Sequence, residues 1–227
     1  MINIPVLAMA SPGIRIAILL CTILVAIPVQ AQLNPELREG DLIFCCSESD
    51  NAITTVTSGV DSLPIDHVAV VHRIGGESGL LYVIEAVKPI VCLTPLQSFL
   101  EDNHVMLLGR FNGGLDIKKT IKRCLSMVGK PYDDLYLPGD SAVYCSELVQ
   151  LSYTDTSGRL VFDPIPMSFH DRSGEVTDYW KEFYCRRGMM VPEGAPGTNP
   201  GELSRRTQVT ILGEIYNHGG RIVFERH

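Results

Sequence analysis

Two residues of this chain have the setting that thiol chemistry requires, Cys145 and His67. A cysteine attacks carbonyl carbon only as a thiolate, and a helix amino end or a neighbouring imidazolium stabilises that charge. Cys145 follows the breaker stretch Pro138-Gly139-Asp140 and opens a run to Ser152 whose pattern predicts a helix over 144–153. The free N–H groups of that helix start would also hold an oxyanion. An ordinary buried thiol is the competing reading, because free cysteines mostly pack in cores. Cys124 falls on an apolar helix stripe and reads as core, while Cys45 and Cys46 finish a strand as packing or disulfide partners.

The partner base should be a histidine on a rigid element, with its second ring nitrogen held by a third polar group. His67 opens the β-branched run 67–72 directly after Ile65-Asp66, whereas His72 ends it and points to the opposite face. His104, His170, His218 and His227 stand in loop-like or terminal contexts. Glu85 is an acid inside the apolar run 80–86, where a strand interior normally excludes charge. Antiparallel pairing of the two runs would bring Glu85 beside His67, to fix its tautomer and hold the imidazolium. A strand-end salt bridge is the other reading of Glu85.

These residues need a scaffold. Strands are expected at 41–44, 67–72, 80–86, 88–94, 105–111 and 209–215, with the turn Gly75-Gly76 to Ser78-Gly79 joining an antiparallel pair. Helices are expected from Pro95 through Glu101, along Ile117 to Val128, over 144–153 and over 177–187. Residues 34–39 read as a helical turn, 51–58 as a short helix or loop, and 191–205 as a Pro- and Gly-rich loop. Strands first and helices later describe one α+β domain over 32–227.

The chain has 227 residues, 45% of them hydrophobic and 20% charged, with a formal net charge of −7. A disordered chain is excluded by this composition, and broad nucleic-acid contact by the acidic balance. Residues 1–31 read as an export signal: Arg15 precedes the uncharged run 16–27, and Val29-Gln30-Ala31 places the cut after Ala31. Met9 is an alternative start. The run is too short for a stable membrane span. Secretion or a periplasmic address follows, so disulfides are permitted among Cys45, Cys46, Cys92, Cys124, Cys145 and Cys185. With no C-x-x-C and no H-E-x-x-H, neither a metal site nor a cofactor is expected.

The ordered set Gly40–Phe44, Asp66–Val71, Ile84-Glu85-Ala86, Gly129–Asp133, Tyr144–Val149 and the late segment Pro192–Ser204 resembles the YiiX/YebB-like cysteine hydrolases. These belong to the circularly permuted, papain-like branch of the NlpC-type superfamily. The resemblance implies a central antiparallel sheet with packed helices, and a Cys/His pair facing each other across one cleft. It carries the nucleophile onto Cys145, the base onto His67 and the third polar position onto Glu85. Tyr132 and Tyr144 fall at substrate-binding positions, Tyr132 with a packed aromatic as its other reading. The acyltransferase relatives have asparagine–cysteine–glutamate at the nucleophile and a histidine as third member. Here Tyr144-Cys145-Ser146 and Glu85 stand instead, which favours hydrolysis of a peptide or amide, with a cell-wall fragment as substrate. Acyl transfer or thioester chemistry on lipid-like groups, and a non-catalytic binding module, are the competing expectations.

Overall fold

The computed structural model describes residues 37–76, 79–139 and 141–227. The expected export signal lies outside the described residues, as does the first half of the expected turn at 34–39. Among the described residues nine strands form: β1 Leu42–Cys46, β2 Ile65–Ile74, β3 Leu80–Val87, β4 Ile90–Pro95, β5 Val105–Phe111, β6 Ile165–Pro166, β7 Pro196–Gly197, β8 Val209–His218 and β9 Arg221–Arg226. The five α-helices of the described residues are α1 Leu96–Glu101, α2 Ile117–Met127, α3 Cys145–Ser152, α4 Asp178–Cys185 and α5 Pro200–Ser204.

Seven strands make one sheet in the order β4-β3-β2-β1-β5-β8-β9, antiparallel at every step. The α+β class and the antiparallel β2–β3 pair are as expected. Strand alternation then sends successive side chains to opposite faces. Phe44, Val68, Val70 and Ile84 bury on one face with Ile121 and Cys124 of α2 and with Leu148 and Val149 of α3. Ile43, Cys45, Ala69, Val71 and Val83 bury on the other, against Leu96, Phe99 and Leu100 of α1. Both faces of β2 are therefore dry, which suits its β-branched run. Each Val, Leu, Ile or Phe among them contributes about 1.5–3 kcal/mol by leaving water. A third cluster of Met167, Phe169, Trp180 and Tyr184 forms around α4, beside the sheet's main core.

The opening Gly40-Asp41 is architectural. Gly40 has φ +76, and a Cβ there would stand 2.3 Å from Ile117 Cδ1, so only glycine lets the chain turn into β1. Asp41 is buried and takes a two-pronged contact from Arg110, Nε to Oδ1 and Nη2 to Oδ2, both at 2.7 Å. Burial nevertheless leaves its carboxyl above the ordinary value, so the pair fixes register at some cost.

Two expectations are corrected. The strand expected over 209–215 is not the last: it extends to His218 as β8, and β9 Arg221–Arg226 follows it. Only Ile222 of β9 is fully buried, and its Arg and Glu residues face solvent, as an edge strand requires. Its apolar residues Ile222, Val223 and Phe224 run consecutively between these charged ends, so no two-residue period shows. The stretch 191–205 is not loop throughout: it contains β7 and α5. Asn199 caps α5 by accepting a hydrogen bond from Glu202 N at 2.7 Å, with Pro200 in the first turn. Asn-Pro-Gly-Glu is a helix-start signature that the surrounding Pro and Gly obscured.

Candidate active site

Cys145 is the first residue of α3. Its cap position, Tyr144, is extended and makes no side-chain cap, so the first-turn N–H groups next to the sulfur are left for another acceptor. Seven of the eight residues of α3 are buried, which holds the sulfur in place despite the helix's shortness. Cys145 Sγ lies 4.0 Å from the carbonyl oxygen of Asp66, at the start of β2.

A bulge in β2 shapes this point. Cys45 pairs with His67 but Cys46 pairs with Ile65, leaving Asp66 as the extra residue. Bulges re-aim side chains next to sites. His67 shares the alternation of Ala69 and Val71, and its ring lies 6.3 Å from Phe99 of α1. Cys145 buries with the opposite cluster. The thiol and the imidazole thus come from elements on the two sides of the sheet and meet around the bulged end of β2.

Val70 faces Ile84 in the β2–β3 ladder, so one residue further Ala69 faces Glu85, with His67 as diagonal neighbour on the same face. Glu85 Oε2 stands 2.7 Å from His67 Nε2. Its other oxygen, Oε1, accepts from Thr94 Oγ1 of β4 at 2.5 Å. With Nε2 engaged, Nδ1 is the ring nitrogen left for Cys145. Burial would lower the affinity of His67 for its proton. Hydrogen bonding to Cys145 and Glu85, and the charge on both, outweigh it and lift the imidazole to about 10. Burial opposes ionisation of Glu85 as well, but the bond to His67, its charge and Thr94 leave the carboxyl below its ordinary value.

The structure therefore gathers Cys145, His67 and Glu85 into one chain of contacts. Among the other thiols, burial pushes Cys45 well up, Cys46 to about 11 and Cys124 to about 12, which removes them as nucleophiles near neutrality. All six cysteines of the described residues are free. Of the remaining histidines, His72 Nδ1 sits 2.6 Å from Glu39 Oε1, away from Cys145.

A cleft opens over Cys145. Tyr132 and Tyr144 both line it, and so do Tyr136, Phe169 and Trp180. Tyr144 is also structural, since its hydroxyl accepts from Thr198 N at 3.1 Å and ties α3 to the late segment. Thr198, Asn199 and Pro200 of that segment border the cleft. Burial raises the Tyr132, Tyr136 and Tyr144 phenols, Tyr136 to about 12, so all three remain hydrogen-bond donors at neutral pH.

Sequence reasoning missed four contributors. Tyr136 has φ 52, an unusual conformation for a bulky residue, and such strain clusters at functional sites. Asp133 imposes it: Leu135 N donates to Oδ1 and Leu137 N to Oδ2, each at 2.9 Å, winding the loop so that Tyr136 packs against Tyr144 and Trp180. Thr94 holds Glu85. Asn51 Nδ2 donates to Asp66 Oδ2 at 2.6 Å. The Asp at the end of Gly129–Asp133 was a visible signal; Thr94 and Asn51 become legible only once strand register and loop packing are known.

A thiol at a helix start beside an imidazole on an antiparallel sheet defines the papain-like class. The family model described as permuted papain-like amidase enzyme, YaeF/YiiX, C92 family matches residues 36–212, and the chain belongs to that family. It is 28% identical over 213 residues to the uncharacterized protein YiiX of Escherichia coli strain K12, covering 86% of this chain and 94% of that protein. The crystal structure of metalloprotein yiiX from Escherichia coli O157:H7 superposes with a TM-score of 0.64 at 25% identity, covering 79% of this chain and 98% of that one.

Proposed function

We propose that this protein is a cysteine hydrolase that cleaves an amide bond, with Cys145 as nucleophile, His67 as acid and base, and Glu85 holding His67. The observation that carries the reading is the 2.7 Å contact of Glu85 with His67 Nε2, which leaves Nδ1 for the sulfur. The thiolate adds to the amide carbonyl, and the N–H groups at the start of α3 take the charge that develops on oxygen. The imidazolium gives its proton to the departing amine, leaving an acyl thioester on Cys145. Acylation also removes the sulfur's charge and hydrogen bond, two of the influences that hold the proton on His67. The freed imidazole can then take a proton from water, which attacks the thioester and restores the thiol.

A second reading is favoured by the apolar wall that Ile53, Val56, Met167 and Phe169 give the cleft: thioester hydrolysis or acyl transfer with lipid-like groups. Incubation with muropeptides, simple peptide amides and acyl esters, wild type against Cys145→Ser, separates the two by mass spectrometry. Amide cleavage lost in the variant supports the hydrolase. Turnover of acyl esters alone supports the second reading, and undiminished activity in Cys145→Ser overturns both. Cell-wall peptides and an exported location are proposed from the signal-like residues 1–31. No helix among the described residues is long and apolar enough to cross a membrane.

The solved relative is described as a metalloprotein. Among the described residues of this chain no group of three or more His, Cys, Asp or Glu side chains could hold a metal ion. The donor set of the described residues does not fit a metal ion.

A further inference from the structure

The formal charge of the chain is −7, yet residues 117–132 reverse it locally. Lys118, Lys119, Lys122, Arg123 and Lys130 fall in that stretch with no Asp or Glu among them. Lys118, Lys119 and Lys122 of α2 are exposed, and Arg123 is half-buried. None of these four forms an ion pair with a described residue. The ordinary arrangement stands in α4, where Lys181 lies 3.2 Å from Asp178 and Arg186 2.9 Å from Glu182. In α2 the same spacing sets Lys118 against Lys122 and Lys119 against Arg123, and like charges so placed weaken a helix. Lys118 and Lys119 also stand in its first turn, where the helix dipole disfavours cations. Helix stability does not account for these four residues.

The apolar stripe of the same helix is not fully covered. Ile117, Ile121 and Leu125 line a groove whose other walls are Lys118, Lys122 and Glu39. Leu125 is 37% exposed, and Val128, just past the helix end, is 40% exposed. Lys118, Lys122 and Leu125 follow one another at i, i+4 and i+7, so they share one ridge of the helix surface. Glu39, the one acid in that lining, already has both oxygens engaged. Oε1 stands 2.6 Å from His72 Nδ1, and Oε2 accepts from Arg73 N at 2.7 Å.

Cations flanking exposed aliphatic side chains suit one class of partner. The phosphates of a nucleic acid or another polyanion would satisfy the lysines but give Leu125 and Val128 nothing. An anionic bilayer takes both, headgroups against the cations and the acyl boundary against the apolar side chains. We propose that α2 seats this protein on a membrane surface rich in anionic phospholipid. The position bears on the reaction. From Val128 the chain runs directly to Tyr132 of the cleft wall. Gly129 N donates to Val91 O at 2.8 Å and Tyr132 N to Pro89 O at 2.9 Å, which pins this connection to the sheet edge. A docked α2 therefore holds the cleft wall close to the lipid and assigns membrane-associated amides or acyl groups as substrates. That last step rests on the hydrolase reading, whereas the docking surface does not.

The test is flotation with phosphatidylcholine vesicles, either neutral or containing about one-third phosphatidylglycerol. The chain from Gln32 is used, since it holds every described residue and omits the apolar run 16–27, which would bind lipid by itself. Binding is expected to the anionic vesicles only, and it should fall between about 0.05 M and about 0.5 M salt as the screening length shrinks. Each Lys or Arg near such a surface is worth roughly fivefold in affinity, so Lys118→Gln with Lys122→Gln should weaken binding by about 25-fold. Leu125→Gln should weaken it at either salt. All three positions are exposed, and circular dichroism checks that the variants keep the fold. Equal binding to the two kinds of vesicle, binding to neither, or an anionic preference unchanged in the double variant overturns the proposal. Binding to a DNA duplex or polyphosphate that is as tight and indifferent to Leu125→Gln makes α2 a polyanion site and overturns it too. Cys145→Ser should bind vesicles as the wild type does, so vesicle binding without amide cleavage upholds the surface and counts against the hydrolase.

Discussion

Glu85 reaches His67 with one carboxylate oxygen, Oε2 to Nε2 at 2.7 Å, while Thr94 holds the other at 2.5 Å. Two oxygens with two partners make the carboxylate a fixed object, so the imidazole that leans on it is fixed too. β2, β3 and β4 each contribute one side chain to this line, and α3 brings the sulfur to its end.

Removing the imidazole should separate chemistry from folding. His67→Ala is expected to lower amide turnover by about 10²–10⁴-fold, the usual contribution of one acid–base group. Iodoacetamide should label Cys145 rapidly in the wild type near neutral pH and only slowly in His67→Ala. Unchanged labelling would remove His67 from the thiol's activation.

The His67 proton is the second test. Imidazole nitrogen resonances followed through a pH titration should show a midpoint at about 10. Glu85→Gln and Cys145→Ser each take away one of the influences that raise it, so in both variants the midpoint should move down. A midpoint near 6.5 in the wild type would show that the contacts do not act as described.

Thr94 and Glu85 also bear on stability. Thr94→Val leaves a buried carboxylate oxygen without its donor, a loss of about 1–3 kcal/mol readable as a lower urea midpoint. Because folding depresses the Glu85 carboxyl, its contribution is present above the unfolded value near 4.5 and is lost as pH falls through the folded value. The wild type should therefore lose stability below pH 4.5 more steeply than Glu85→Gln, which has no carboxyl to protonate. Parallel curves would refute the linkage.

Asp133 is expected to act on binding through Tyr136. Asp133→Ala frees the Leu135 and Leu137 N–H groups and lets the loop relax from the strained Tyr136 conformation. Steady-state kinetics should show KM rising more than kcat falls. Tyr136→Phe, which keeps the ring, should retain most of the affinity. A pure kcat effect in Asp133→Ala would place the loop in the chemistry rather than in the cleft wall.

Much of this architecture is readable without coordinates. The run 67–72 is β-branched because both its faces are buried, and Glu85 stood out because charge in such a strand needs a reason. Asp116, which caps α2 by accepting from Lys119 N at 3.1 Å, lies just before the first residue of a clear helical stripe. By contrast, β9 escaped notice because its apolar residues Ile222, Val223 and Phe224 are consecutive between charged ends, so no alternation of apolar and polar residues marks it. α5 escaped because its proline and glycine read as loop, although Asn199 and Glu202 form a cap.

The chain's periodicities, breakers and one misplaced acid determine the mixed class, most of the elements, and the thiol's place at a helix start, because hydrophobic alternation and capping are local properties. Tertiary structure alone decided that the β2 bulge lets residues from both sides of the sheet converge, that Thr94 backs Glu85, that Asn51 braces Asp66, and that Tyr136 turns into the cleft. Each depends on strand register or on packing between segments 9 to 44 residues apart or more, as in Glu85 with Thr94 and Tyr136 with Trp180. Such contacts arise from the global minimum of burial and hydrogen bonding, and no short window of residues encodes them.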